Sequence, residues 1–498
     1  MNTVYDILEK NKTLSSDAVI CGVEKISYNE LYRRSKILSN MIENETSENI
    51  ILFMPNSIHY VVSYFAVLFC NKALYPISSL SKIDEIYSAV ECSNSKVILC
   101  LNGTYMEMKD LLQKKELKLI CVDDNLLYGV EPSPFKRLEL SKIEREYSFL
   151  LNTSGSTGVH KIVKLSQENV LTNCSDWIEA ALNPAEYGKV LVAMPASTSF
   201  GTISIATCIM LGWTIVFLPS FFNSATLLRT IQRESITHLL AIGSMLNILA
   251  KDIVNLSSGN NYNSLKFIGI GGNKAVPETM KILMGFFREA GLSPGYGITE
   301  ATCIVTAIHP EVSIENSELF FEKINSAGLP FKNNNVKIAT IDGMPDSVGE
   351  VLINGPTVMK GYYNNSKATD AILINGDLHT GDIGYLDDEG YLFLVGRIKN
   401  IIKSGGYTIF PEEVEEVLEN FNLVKEAYVY GIEDPILDEK IVADIVLNAD
   451  IEATVSDIKE YCLSHLANYK IPSDIHFVNR IQKTMTGKIQ RGAHKQNG

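Results

Sequence analysis

The segment Leu150-Leu151-Asn152-Thr153-Ser154-Gly155-Ser156-Thr157-Gly158-Val159-His160-Lys161 leads an apolar run into a loop of hydroxyls and glycines that ends on a lysine. Glycines let backbone N–H groups turn toward an anion, hydroxyls add donors, and the lysine supplies a point charge, so the loop suits phosphate. It is not a Walker A loop, because the spacing from Gly155 demands glycine at position 160 and Ser or Thr after Lys161, where His160 and Ile162 stand. That disfavours a P-loop kinase or GTPase. Further segments follow in order: Gly295-Tyr296-Gly297-Ile298-Thr299-Glu300, Gly349-Glu350 with Met359-Lys360-Gly361-Tyr362-Tyr363, Thr380-Gly381-Asp382, Gly396-Arg397-Ile398-Lys399 and Thr486-Gly487-Lys488-Ile489.

The combined order of these segments resembles the adenylate-forming superfamily, which includes acyl-CoA synthetases, peptide-synthetase adenylation domains and luciferases. The resemblance runs from about Ile26-Ser27-Tyr28 to Arg491, nearly the whole chain. It implies that Thr153, Ser154, Gly155, Ser156, Thr157, Gly158 and Lys161 hold the β- and γ-phosphates of ATP. Tyr296 would stack on adenine while Gly271, Gly272 and Asn273 line the ring's other face, and Thr299 would sit by the α-phosphate. Glu300 would hold Mg²⁺, a hard cation suited to carboxylate and phosphate oxygens. Asp382 would accept hydrogen bonds from the ribose hydroxyls, with Arg397 supporting the same sugar. Lys488 is the catalytic candidate, with Thr299: attack of a carboxylate on the α-phosphate brings two anions together, and an ammonium relieves that charge.

The same resemblance implies a hinge over residues 396–400 with its pivot at Lys399. The segment Lys403-Ser404-Gly405-Gly406-Tyr407 would then face the site for thioester formation, a lid motion that gates two half-reactions. Domains are expected at 1–395 for a large AMP-binding part and at 401–498 for a small mobile lid that carries the catalytic lysine.

Departures from the pattern carry information. The loop reads Gly158-Val159-His160-Lys161-Ile162 where relatives have Gly-x-Pro-Lys-Gly, and Gln482 stands at a frequent proline position. Thr198 replaces a histidine that commonly borders the acid and thiol channels. The neighbourhood of Ser199 offers no carboxylate for a substrate ammonium, whose burial unpaired is costly, so an α-amino acid is disfavoured. The acid pocket would be bordered by Thr198, Ser199, Phe200, Ile203, Ile242, Gly243, Gly271, Gly295, Cys303 and Ile304, with the glycines leaving depth for a chain or ring. An apolar or aromatic carboxylic acid fits. Pro411-Glu412-Glu413-Val414-Glu415 looks more like the acyl-CoA synthetase branch. The activity implied is ATP-dependent formation of acyl-AMP followed by thioester formation with coenzyme A; the alternative acceptor is the phosphopantetheine arm of an acyl or peptidyl carrier protein. A relative that keeps the fold and only binds is the reading from another class.

The elements that must position these residues are legible as short apolar runs (97–101, 119–122, 190–194, 214–218, 265–270) alternating with amphipathic segments (31–42, 225–234, 276–290). That is an α/β pattern with mostly parallel sheets. Dense turns from 350 onward predict an antiparallel β subdomain, followed by a small α+β domain: helix 412–419, strands 425–431 and 441–447, helix 454–466, strand 474–478. With 498 residues the chain can form two to four domains. Its 58 acidic against 44 basic residues disfavour a broad grip on nucleic acid or anionic membrane. Nine dispersed cysteines without a C-x-x-C pair suggest a reducing compartment, and the first ten residues lack a signal-peptide layout, so the expected location is cytoplasmic. Residues 190–228 hold no charge, yet Pro195, Gly201, Gly212 and Pro219 interrupt them; the expectation is buried core and no membrane span.

Overall fold

The computed structural model describes residues 3–104, 106, 117–127, 145–153, 161–182, 186–218, 222–254, 262–273, 276–449, 451–483, 489 and 491. By internal contacts the chain divides into two units. The first gathers the described residues of Met1–Thr153, His160–Asn335 and Asn354–Leu378, and the second those of Val336–Ile353 and His379–Gly498.

Two sheets build the first unit. One runs Lys118–Cys121, Val97–Cys100, Asn49–Phe53, Ala73–Pro76, Phe149–Asn152, Ile162–Leu165; all its pairings are parallel except the last. The other runs Leu329–Pro330, Thr306–Ala307, Gly291–Tyr296, Phe267–Gly271, His238–Ile242, Lys189–Val192, Thr214–Phe217, Asp17–Cys21, Glu24–Ser27, parallel in its centre and antiparallel at both edges. Continuous apolar strands suit sheets covered on both faces, and Ile50, Ile51, Leu52 and Leu191, Val192 are fully buried. The helix Tyr28–Ile42 starts where the Ser27 hydroxyl accepts from the Glu30 N–H at 3.3 Å, and it packs with Ile58–Phe69 into a core shared with Val19 and Leu74.

The charge-free stretch resolves into the end of the strand Lys189–Val192, the helix Ser199–Leu211, the strand Thr214–Phe217 and the opening of the helix Ser224–Glu234. Phe200 to Ile209 are all buried, and Gly212 ends the helix at φ 71°. Its described strands and the helix Ser199–Leu211 are core, as expected of a stretch interrupted by Pro and Gly. No described helix is long and apolar enough to cross a membrane.

In the second unit one sheet carries Asn335–Thr340, Gly349–Asn354, Asp377–Leu386 and Leu392–Arg397. Another runs Tyr407–Ile409, Ile402–Ser404, Asp438–Leu447, Val424–Asp434, with Asp474–Phe477 parallel to Asp438–Leu447. The helices Pro411–Glu419 and Val455–His465 bury Val414, Leu418, Ile458 and Cys462 with Ile402, Val429 and Ala443 of this sheet. The α/β body, the antiparallel sheet and the α+β unit are as expected. One helix is shorter than its sequence pattern: Pro277–Phe286 stops at Phe287, whose φ −103° and ψ 68° leave the helical region, and Gly291 opens a strand.

Candidate active site

Residues 153 and 161 stand at the ends of two paired strands. Phe149–Asn152 pairs antiparallel with Ile162–Leu165, and the Thr153 N–H donates to the Lys161 carbonyl at 3.1 Å, so the neck is tied by backbone. Tyr75 donates its hydroxyl to Asn152 Oδ1 at 2.8 Å just below. Ser154, Gly155, Ser156, Thr157, Gly158 and Lys488 lie outside the described residues. Ile162, where the resemblance implies glycine, begins the strand and is buried among Ile51, Phe53 and Leu150, so a β-branched residue serves there.

The segment Met359–Tyr363 runs along this hairpin: Lys360 N–H donates to Lys164 O at 2.9 Å and Tyr363 N–H to Ile162 O at 2.7 Å. Tyr362 is thereby set between two expected site residues. Its hydroxyl donates to Glu300 Oε1 at 2.7 Å, and its ring lies 4.8 Å from the Lys161 ammonium. Burial, then the charge of Glu300, pushes the Tyr362 hydroxyl far above the usual phenol range, so it stays a donor. Glu300 is held from its backbone too, its carbonyl accepting from the Met359 N–H at 2.9 Å.

Thr299, Glu300 and Ala301 form one turn of 3₁₀ helix after the strand Gly291–Tyr296. The chain then reverses at Thr302, which sits at φ 73° and ψ −57° while the Cys303 N–H donates to the Ala301 carbonyl at 2.9 Å. A γ-turn of this hand is strained for a β-branched residue. Thr302 is fully buried and donates to Thr357 O at 2.5 Å, which holds it there. Gly297 is required by the same reversal, since a Cβ would lie 1.6 Å from the Cys303 carbonyl oxygen.

The reversal brings expected wall residues together. Thr299 Oγ1 donates to Ser199 Oγ at 3.4 Å, and the thiol of Cys303, pushed well up by burial, interacts with the same hydroxyl. The Phe200 ring lies against Gly271, where a Cβ would sit 3.1 Å from it, and 5.8 Å from the Trp177 ring. Gly272, at φ 76°, abuts Ile242, and Gly243 opens the helix Gly243–Ile253. Ile203 is buried one turn along the Phe200 helix. Asn173 fixes Ile304 by donating to its carbonyl at 2.6 Å. Gly295 does not open depth: a Cβ there would meet the Thr306 carbonyl oxygen at 2.8 Å, so sheet packing demands the glycine, and Phe200 already occupies the space beside Gly271. Thr198 is a helix cap, its Oγ1 accepting from Gly201 N–H at 3.1 Å and donating to Pro195 O at 2.8 Å. Asn273 keeps a buried Oδ1 with no partner among the described residues, a polar atom of the kind that ligands satisfy. Tyr296 ends its strand paired with Thr306.

In the second unit Asp382 is buried and meets Arg397 Nε at 2.7 Å across neighbouring strands. Glu350 builds the turn before it: one carboxylate oxygen accepts from the Gly381 N–H at 2.9 Å and the other lies 2.7 Å from His379 Nδ1. Thr380 adds a hydroxyl that accepts from the Asp382 N–H at 3.0 Å. Lys399 lies in the 3₁₀ turn Ile398–Asn400. Ser404 and Tyr407 pair across Gly405 and Gly406, whose φ values of 57° and 83° make the two-residue turn that both glycines are needed for.

The chain matches the family model for AMP-binding enzymes over residues 9–363 and the model for the C-terminal domain of AMP-binding enzymes over residues 413–488. The chain belongs to the AMP-binding enzyme family. This AMP-binding enzyme is 27% identical to a 2-succinylbenzoate–CoA ligase of Bacillus licheniformis, covering 97% of this chain and 98% of the relative. It is 28% identical to a luciferin 4-monooxygenase of Nipponoluciola cruciata, covering 94% and 88%. Among solved structures, the O-succinylbenzoate coenzyme A synthetase of Bacillus subtilis in complex with ATP and a magnesium ion is similar, with TM-score 0.84, 26% identity and coverage of 98% and 99%. The enzyme is an acid–thiol ligase of the AMP-forming, acyl-CoA-synthetase type.

Sequence reasoning quoted Tyr362 and Glu350 inside motifs without giving either a task. Their position beside Gly361 and Gly349 was the available signal, since Gly349 is needed where a Cβ would lie 1.9 Å from the Ala339 carbonyl oxygen. Asn173, Trp177, Thr302 and His379 carried no signal in one sequence.

Proposed function

We propose that this AMP-binding enzyme activates an apolar or aromatic carboxylic acid, not an ordinary α-amino acid, by forming acyl-AMP with release of pyrophosphate, and passes the acyl group to coenzyme A. The observation that carries the choice of acid is the wall around Ser199: Phe200, Ile203, Trp177, Cys303 and Ile304 offer rings, alkyl groups and a protonated thiol, and none of these described residues is a carboxylate that could pair an ammonium. A carboxylate entering there would meet the hydroxyls of Ser199 and Thr299 at its polar end.

In this reading Thr153, Lys161 and the loop between them hold the ATP phosphates, Tyr296 with Gly271, Gly272 and Asn273 holds adenine, Asp382 and Arg397 hold ribose, and Lys488 stabilises charge as the acid attacks. Glu300 fits a magnesium ion: Tyr362 holds one carboxylate oxygen, the other remains for the cation, and nucleotide oxygens and water would complete the shell, the common arrangement for this metal. The described residues contain no cluster of three or more His, Cys, Asp or Glu that would form an all-protein site. The hinge at Lys399, the division at 395–401 and the thiol-side task of Ser404, Gly405 and Gly406 belong to the same proposal. A cytoplasmic location is supported by nine free thiols.

The test is ATP–pyrophosphate exchange over a panel of fatty, aryl and amino acids, followed by mass measurement of the thioester with coenzyme A or with a phosphopantetheinylated carrier protein. Exchange with fatty or aryl acids and a coenzyme A thioester is expected. Exchange with amino acids alone overturns the choice of acid, and thioester on the carrier alone overturns the acceptor.

A further inference from the structure

The second unit buries an ion cluster that the proposed chemistry does not use. Arg491 Nη2 lies 2.5 Å from Glu415 Oε2 and 3.5 Å from Glu412 Oε1. Glu415 is buried and its other oxygen accepts from the Val429 N–H at 2.8 Å. The guanidinium stands 5.5 Å from the Tyr428 ring, whose hydroxyl donates to the Arg491 carbonyl at 3.3 Å. Helix, strand and the chain end are thus tied at one side chain.

Two features give the cluster a direction. Arg491 comes three residues after Lys488, and an antiparallel bridge between Lys483 and Ile489 closes the chain on either side of that lysine. Glu412, for its part, accepts from Asn400 Nδ2 at 2.7 Å, and its Oε2 is buried without a partner among the described residues, close enough to Gly396 that a Cβ there would lie 2.9 Å away. Asn400 and Gly396 bound the proposed hinge. Two carboxylates around one guanidinium are an expensive way to fill a core that apolar side chains would stabilise as well. What the arrangement adds is geometry, because a planar fork accepts two carboxylates only in a set orientation.

We propose that Glu415 and Glu412 are positioning residues that clamp Arg491 and so anchor the chain three residues beyond Lys488 for the adenylation step. This rests on the reading of Lys488 as the lysine of the adenylation step. The clamp therefore serves the first half-reaction and leaves the second alone.

The experiment compares full-length Glu415→Gln and Arg491→Lys with the parent in two assays: ATP–pyrophosphate exchange with an accepted acid, and thioester formation from supplied acyl-AMP and coenzyme A. Exchange is expected to fall tenfold or more in kcat with KM for ATP within threefold, while transfer from acyl-AMP stays within twofold. Lys440→Met, which removes a 2.7 Å ion pair to Asp474 in the same unit, leaves both rates unchanged. A parallel fall of both half-reactions, or exchange at the parent rate, overturns the clamp. If Glu415→Gln does not fold, Glu412→Gln, on the more exposed side of the cluster, gives the same comparison. Lys488→Ala is run beside them: full exchange by that variant overturns the reading of Lys488, whereas its loss with intact exchange in the clamp variants overturns the clamp alone.

Discussion

Replacing Tyr362 by Phe isolates a single bond. The ring stays, and with it the packing and the stacking of Lys161 at 4.8 Å; only the hydroxyl that donates to Glu300 at 2.7 Å is lost. A hydrogen bond to a charged acceptor contributes about 1.5–3 kcal/mol, but Glu300 is partly exposed and water replaces part of it. What water does not restore is orientation, and freeing a Glu side chain to sample its rotamers corresponds to roughly 1.5 kcal/mol. At about 1.4 kcal/mol per factor of ten, the magnesium concentration that half-saturates ATP–pyrophosphate exchange should rise about tenfold. The assay is a magnesium titration at fixed ATP with thermal unfolding measured on the same preparation. A magnesium dependence within twofold of the parent refutes the positioning of Glu300 by Tyr362. So does a drop in melting temperature large enough to account for the lost rate, since the bond would then be holding the fold.

Glu350→Ala removes the carboxylate that caps Gly381 and holds His379, and should raise KM for ATP about tenfold while the kcat of exchange changes less; equal KM values would show that the Thr380–Asp382 turn stands without it. Glu415 titrates in a stability measurement: burial raises its carboxyl to about 7 against the pull of Arg491 and the Val429 N–H, with Glu412 raising it further. Because the folded value exceeds the unfolded one of 4.5, the contribution is complete below 4.5 and is lost as pH rises through 7, on the order of 3 kcal/mol at about 1.4 kcal/mol per pH unit. Chemical denaturation between pH 5 and pH 8 should show that slope in the parent and not in Glu415→Gln; an equal slope in both would rule it out. Thr198→Ala removes a helix cap and should cost about 1 kcal/mol of stability, read by urea denaturation, whereas no change would mean that Thr198 is free of the helix.

The fold was largely legible because its strands are continuous apolar runs and several helices carry clear periodicity, as at Tyr28–Ile42 and Ser224–Glu234. Ser199–Leu211 was not legible as a helix, since it is buried all round and has no polar face to set a period. Gly291–Tyr296 hid for a different reason: Gly-Leu-Ser-Pro-Gly-Tyr has turn composition, yet the sheet holds it extended through its pairing with Phe267–Gly271. Site motifs were legible where several unusual residues adjoin, as in Thr380-Gly381-Asp382. Contacts spanning long separations were not: Glu415 and Arg491 are 76 residues apart, and nothing local marks either as half of a pair.

The backbone tie at Thr153 and Lys161 bears on how this enzyme can change over time. A hairpin whose neck is closed by its own hydrogen bond, with Ile162 already serving the sheet beyond it, insulates the scaffold from whatever sequence lies in between. The pairing of Phe149–Asn152 with Ile162–Leu165 is therefore held by its own hydrogen bonds, whatever residues join the two strands.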